Sequence, residues 1–265
     1  KRLDGFDVTF FFCTDEHGQK VEKAAEVACV TPQKFTAQVS QNFRDLTAKL
    51  NFSNDDFIRT TEDRHKKACQ KIWSILHENG HITLGKYEGW YSVRDETFFT
   101  ETELVDGKAP TGAPVEWVEE PSYFFNLSEW QDKLLAFYAE NPGFVGPESR
   151  FNEVKSFVKG GLRDLSVSRA SFKWGVPVPN DEDHVMYVWL DALTNYVTAT
   201  NWPVDGINGD AEKHERLWPA DLHMVGKDIL RFHAVYWPAF LMAAGLPLPK
   251  RVFAHGWWTS EGQKI

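Results

Sequence analysis

The chain has 265 residues, 42% of them hydrophobic and 25% charged, a globular composition that excludes disorder, collagen and coiled coil. Its length admits a single α/β domain carrying an insertion, or one domain with a smaller partner. Asp and Glu number 38 against 29 Lys and Arg, a net charge of -9, so there is no general attraction to nucleic acid or anionic lipid, and any RNA contact must be local.

In chain order, Asp7 to Cys13 reads as a buried strand that breaks at Thr14 and Asp15, both capable helix N-caps, with helical spacing from His17 to Cys29. Thr31-Pro32 opens a second helix running to about Leu50, with proline at the position where its missing N–H is harmless. A third helix, from about Glu62 to Asn79, stops at Gly80. From His81 to about Phe157 the texture turns to aromatic, strand-like fragments around Tyr87, Trp90, Tyr91, Phe98 and Phe99, as in an inserted small domain. After Gly160 the strand-then-helix rhythm returns. His184 to Trp189 reads as a strand, with Asp191 capping a helix through Tyr196. Leu222 to Val225 is a strand, with Asp228 capping a helix from Ile229 to Tyr236. Arg251 to Ala254 is a last strand. Short β-branched or aromatic runs alternating with helices specify an open α/β sheet.

The three cysteines, Cys13, Cys29 and Cys69, are widely spaced and form no C-x-x-C pair, against a disulfide framework or a Cys-rich zinc site and in keeping with a reducing cytosol. The longest uncharged apolar stretch, Ala234 to Pro249, is interrupted by Pro238 and Pro247 and is shorter than the roughly 20 residues of a membrane span. Asn51 and Asn126 head glycosylation sequons that, without a signal peptide, read as chance matches.

In an open parallel sheet, ligands sit outside the carboxyl ends of the strands. Four such places stand out: Thr14 to Gly18, Trp189 to Ala192, Gly226-Lys227-Asp228 and His255 to Trp258. Each alone is compatible with ordinary cap and turn chemistry. Helical spacing puts Trp189, Ala192 and Tyr196 on one face and Ile229 and His233 on another, which together can line an apolar slot tipped by a hydroxyl and an imidazole, or equally a packed core. Asp15 can anchor a cationic group or cap a helix. Arg169 and Lys227 can meet phosphate or form surface ion pairs. Gly226 permits close backbone approach, and Asp228 can accept from ribose hydroxyls. A metal held by Asp15, Glu16 and His17 is disfavoured because adjacent side chains diverge. Eleven tryptophans beside Glu116, Glu119 and Glu120 raise a carbohydrate-active alternative, which needs two facing carboxylates.

Together the four places resemble the methionyl-tRNA synthetases, a family of class I aminoacyl-tRNA synthetases. The ordered matches are K-R-L-D-G-F-D-V from Lys1, T-D-E-H-G-Q-K from Thr14, Y-E-G-W-Y-S-V from Tyr87, V-E-W-V-E-E from Val115, V-W-L-D-A-L-T-N-Y from Val188, G-K-D-I-L-R-F-H from Gly226 and F-A-H-G-W-W-T from Phe253. The resemblance implies a Rossmann-like parallel-sheet core in two parts, residues 1–80 and 158–265, split by a connective-peptide insertion over 81–157. It implies activation of methionine by ATP, with Mg²⁺, to methionyl-adenylate and transfer to tRNA(Met), in a monomeric cytoplasmic enzyme. Asp15 would hold the methionine ammonium, and Trp189, Ala192, Leu193, Tyr196, Ile229 and His233 would form the side-chain pocket. Gly226, Asp228, His255 and Trp258 would face ATP, and Arg169 and Lys264 would serve activation. Leu193 departs from the proline of some members.

The family's H-I-G-H element lies upstream of Lys1, and its K-M-S-K-S element is present only as Lys264-Ile265. The 265-residue piece alone is therefore expected to bind methionine weakly without forming adenylate. Residues 81–157 contain no cysteine, so a zinc-free insertion is expected where many members bind zinc. Class I synthetases for leucine, isoleucine or valine are the alternative, but usually carry a much larger editing insertion.

Overall fold

A computed structural model describes residues 1–95, 97–203, 209–261, 263 and 264. The elements in order are β1 (Phe11–Thr14), α1 (Gln19–Val27), α2 (Pro32–Lys49), β2 (Asp56–Arg59), α3 (Asp63–Glu78), β3 (Ile82–Ser92), β4 (Thr97–Phe99), β5 (Glu116–Phe125) and α4 (Gln131–Glu140). Then come β6 (Val145–Gly146), α5 (Glu148–Lys159), β7 (Leu165–Ser166), β8 (Ser168–Arg169), β9 (Pro177–Val178), β10 (Asp181–Met186) and α6 (Val188–Thr198). The chain continues through α7 (Ala211–Leu217), β11 (His223–Gly226), α8 (Trp237–Ala243), β12 (Val252–His255), β13 (Thr259–Ser260) and β14 (Gln263–Lys264). By compactness it divides into a first unit of residues 1–70, 84–124 and 166–195, and a second of residues 71–83, 125–165 and 196–265.

In the first unit β1 and β2 pair in parallel, Phe11 opposite Asp56 through Thr14 opposite Arg59. The strand is shorter than its apolar run suggests because the Asp55 carboxylate takes the Phe10 N–H at 2.8 Å in place of a ladder partner. Helix α1 starts after Gly18, whose φ of 107° is left-handed. Neither Thr14 nor Asp15 caps it, and Thr14 Oγ1 instead donates to Glu16 at 2.7 Å. Helix α2 begins as expected, with Pro32 in its first turn and Thr31 Oγ1 accepting from Lys34 N at 3.3 Å. Gly80 follows α3 at φ 75°. Strand β3 pairs antiparallel with β4. The segment expected to be a strand from His184 to Trp189 divides differently: β10 runs antiparallel between β8 and β9 and Val188 already starts α6. An apolar run this short fits strand or buried helix equally, and periodicity does not separate them.

In the second unit β11, β12 and β6 form a parallel sheet, with His223 opposite Val252 and Val252 opposite Val145. Leu134, Val154, Val158, Trp237 and Phe240 are buried around it, and Phe125 meets Phe240 edge-on at 4.8 Å. The segment before α8 is a π-turn from Phe232 to Tyr236, with Pro238 in the helix's first turn. In an α-helix the carbonyl of Ala234 would accept from the N–H of residue 238, and proline has none. The buried Tyr138 hydroxyl supplies the donor, 2.6 Å from Ala234 O. Tyr138→Phe is expected to lower stability by about 2 kcal/mol, the usual cost of stranding a buried acceptor, read as a urea midpoint shift at constant slope.

Candidate functional site

The loop after β1 presents Asp15 to solvent between firmly held neighbours. Glu16 is buried; its carboxylate accepts from Arg59 Nε and Nη2 at 2.8 Å each and from Thr61 Oγ1 at 2.6 Å. Burial pushes its pKa up, but these donors hold it below the ordinary value. Trp174 Nε1 donates to Glu16 O at 2.6 Å. His17 is buried as well, with Nδ1 2.6 Å from Asp191 Oδ2.

Asp191 does not cap α6. It lies inside the helix, wholly buried, with its other oxygen 2.7 Å from His65 Nε2. Burial alone would raise its pKa, but the two histidines hold it well below the usual carboxylate range. An ionised carboxylate only accepts, so both ring nitrogens donate to it. Cys69 Sγ lies 3.2 Å from His65 Nε2, and burial pushes its thiol pKa well up.

His65, Cys69 and Asp191 offer metal-ligating atoms within 4.8 Å of one another. An ion bonded at about 2.0–2.3 Å would hold them more than about 3.2 Å apart. The nitrogen–oxygen separation of 2.7 Å is instead that of a hydrogen bond. This cluster escaped the sequence reading; the one visible signal was the four-residue spacing of His65 and Cys69, which puts both on one face of α3.

Along α6 every residue from Val188 to Thr198 is buried except Trp189, Ala192 and Tyr196. The spacing that nominated these three makes them the helix's one incompletely buried stripe, and Leu193 faces the core at 1% exposure. Arg169 is no surface residue: it is 2% exposed, its Nη1 donates to Ser166 Oγ and Ser168 O at 2.6 Å, and its guanidinium lies 4.2 Å from the Tyr187 ring centre. Glu120 Oε1 stands 3.9 Å from it, while Glu119 pairs with Lys86. The other Glu120 oxygen accepts from Ser171 N at 3.0 Å, and this carboxylate is buried within the fold.

The nominated pocket residues fall in both units: Asp15, Trp189, Ala192 and Leu193 in the first, Tyr196, Ile229 and His233 in the second. Within the second, His233 Nδ1 donates to Ile229 O at 2.9 Å, so Nε2 carries the lone pair and accepts the Tyr196 O–H at 2.7 Å. His223 stacks on Tyr196 with ring centres 3.9 Å apart. Burial lowers the pKa of His233 to about 4 and that of His223 well below its ordinary value, with His233 adding to the latter shift. Both are therefore neutral at pH 7.

Lowered histidine values imply acid sensitivity of a definite sign. Above pH 6.5 neither state binds a proton; between 6.5 and about 4 the unfolded chain takes one at His233 while the folded chain does not, so stability falls as pH falls. The loss from His233 is on the order of 3 kcal/mol across that window. Urea midpoints at pH 7, 5.5 and 4.5 should show the decline, and His233→Asn should lessen it, with His223 carrying the remainder.

At the carboxyl end of β11, a Cβ on Gly226 would stand 2.5 Å from Asp228 Oδ1 and 3.9 Å from His255 Cε1, so Gly226, Asp228 and His255 are neighbours and only glycine leaves Asp228 in place. Asp228 lies within a short 3-10 turn, Lys227–Ile229, and caps no α-helix. Lys227 Nζ lies 3.7 Å over the Trp257 ring, and Trp258 is 74% exposed. Lys264 sits in β14 opposite Thr259, and Ile265 is outside the described residues. Among the described residues no helix is long and apolar enough to cross a membrane.

The family described as tRNA synthetases class I (M) matches over residues 1–116 and 111–265. A methionine–tRNA ligase of Rickettsia conorii (strain ATCC VR-613 / Malish 7) is 66% identical over 265 residues, 100% of this chain and 51% of the relative. One of Rhizobium meliloti (strain 1021) is 57% identical over 270 residues, with 52% of its length covered. A crystal structure of Mycobacterium tuberculosis methionyl-tRNA synthetase bound by methionyl-adenylate superposes with a TM-score of 0.92 at 54% identity, covering 100% of this chain and 54% of that one. The chain spans about half the length of the curated relatives it matches. On a match that runs its whole length, it belongs to the class I tRNA synthetases of the M group.

Proposed function

We propose that this chain is the methionine- and ATP-handling core of a methionine–tRNA ligase, which activates methionine to methionyl-adenylate and passes it to tRNA(Met). The observation that carries the reading is the open stripe of Trp189, Ala192 and Tyr196 on an otherwise buried helix: an aromatic floor, a gap left by a small side chain, and a phenol suit an unbranched apolar side chain. Asp15, exposed at the end of a parallel strand, holds the ammonium. Gly226, Asp228 and His255, grouped at the end of another, receive the nucleotide with Trp258, and Arg169 and Lys264 serve activation.

The methionine carboxylate attacks the α-phosphorus of ATP and pyrophosphate leaves; the tRNA terminal hydroxyl then attacks the acyl carbon and AMP leaves. No covalent enzyme intermediate is needed. Catalysis is mostly positioning and charge stabilisation, with ATP-associated Mg²⁺ supplying part of the latter. Residues 81–157 carry a zinc-free connective insertion between the two core parts, 1–80 and 158–265, in a monomeric cytoplasmic protein; β6, near the end of that span, pairs with β12 and belongs to the core sheet. Elemental analysis finding one zinc per chain would overturn the zinc-free assignment.

The test is amino-acid-dependent pyrophosphate exchange by a full-length ligase carrying this sequence. Methionine should support exchange, and leucine, isoleucine and valine should not; exchange with leucine at equal efficiency would overturn the reading. The one proton of the Tyr196 hydroxyl is engaged by His233, so it is not aimed at a thioether, and discrimination rests on shape, worth about 1–3 kcal/mol. Tyr196→Phe should then change the methionine-to-norleucine ratio of kcat/KM by no more than about threefold; a larger loss would show that the bound ligand redirects that proton.

A further inference from the structure

The site residues expected to meet methionine in the first unit are borne on two segments far apart in sequence: the loop after β1, which carries Asp15, and the first turn of α6, which carries Trp189 and Ala192. Asp15 is exposed, and an exposed loop does not by itself hold a carboxylate to the tolerance that recognition of an ammonium requires. The two segments meet through groups that no substrate can reach. His17, two residues after Asp15, and Asp191, between Trp189 and Ala192, are joined at 2.6 Å, and His65 of α3 takes the opposite oxygen of Asp191 at 2.7 Å. All three side chains are at most 2% exposed.

We propose that the His17–Asp191–His65 chain is a set of positioning residues for the amino-acid half of the site. It rests on the reading of Asp15 and Trp189 as methionine contacts. A carboxylate with one ring N–H on each oxygen cannot rotate without breaking a charge-assisted hydrogen bond in a water-free setting. The chain therefore fixes the loop of Asp15 against the turn of Trp189 and Ala192, with α3 as the third support. Glu16, clamped by Arg59 and Thr61, holds the same loop to β2 and the turn that follows it. None of these groups touches the reacting atoms, so their effect appears in methionine binding and not in the chemistry.

The experiment uses a full-length ligase carrying this sequence and measures KM for methionine and for ATP, with kcat, by pyrophosphate exchange. His17→Ala is expected to raise the methionine KM about tenfold while ATP KM and kcat stay within about threefold. His17→Asn, whose amide N–H can reach the place of Nδ1, should bring the methionine KM back to within about threefold of the parent. An unchanged methionine KM in His17→Ala, equal rises in both KM values, or no rescue by asparagine would overturn the proposal. If His17→Ala does not fold, His65→Ala and its mimic His65→Gln give the same readouts from the opposite side of Asp191. Asp15→Asn is measured in parallel. If it too leaves the methionine KM unchanged, the underlying reading of the site has failed and the proposal falls with it; if Asp15→Asn raises that KM and His17→Ala does not, the proposal fails alone. A stoichiometric thiolate-to-cobalt band on adding Co²⁺, lost in Cys69→Ser, would also overturn it by showing a metal centre in place of the hydrogen-bonded chain.

Discussion

Asp191→Ala should lower the stability of this chain by about 3–5 kcal/mol, the combined cost of two stranded buried donors and of the side-chain volume left empty. The substitution strands two ring N–H groups, from His17 and His65, in a site from which water is excluded, and removes side-chain volume from a position with no exposure. The corresponding fall in melting temperature is roughly 6–20 °C. Lys250→Ala is the contrast: its partner is Asp221 at 2.7 Å, but the side chains are 63% and 86% exposed, and its loss should be lost in the noise. The pH dependence separates Asp191 from the buried histidines. Its carboxyl is held well below the ordinary value, so its stabilisation is present throughout the range above about pH 4 and is lost only as pH falls further. The contribution of His233 changes earlier, between pH 6.5 and about 4.

Asp15→Asn is the counterpart on the functional side. In the proposed site it exchanges a charge-assisted contact with the methionine ammonium for a neutral one, worth about 1.5–3 kcal/mol. The methionine KM should rise about 10- to 150-fold with little change in ATP KM, and the isosteric side chain should leave the melting temperature within about 1–2 °C of the parent. Methionine titrations in the exchange assay measure the first and thermal unfolding the second. A large loss of stability would mean that Asp15 serves the fold.

The ends of β1, β11 and β12 and the incompletely buried stripe of α6 were legible because they follow local rules: short apolar runs make strands, and three- and four-residue spacing makes a face. The reading faltered where a tertiary partner overrode a local preference. Asp191 looks like a cap in sequence, but histidines from the β1 loop and α3 claim its carboxylate. Asp7 to Phe10 looks like strand, but the Asp55 side chain takes the Phe10 N–H. Arg169 looks like a surface cation, and nothing near it in sequence announces that Glu120 and Tyr187 enclose it. The stack of His223 on Tyr196 was invisible for the same reason: its members come from a helix and a strand with no common period.

The hydroxyl of Tyr138 answers a deficit that Pro238 creates, from 96 positions upstream of the carbonyl it serves. The two side chains should therefore not be independent in a double-mutant cycle. With alanine at 238 the backbone can supply its own donor, and Tyr138→Phe becomes nearly neutral; the difference, about 1–2 kcal/mol of interaction energy, would show one imino acid dictating the identity of a distant phenol.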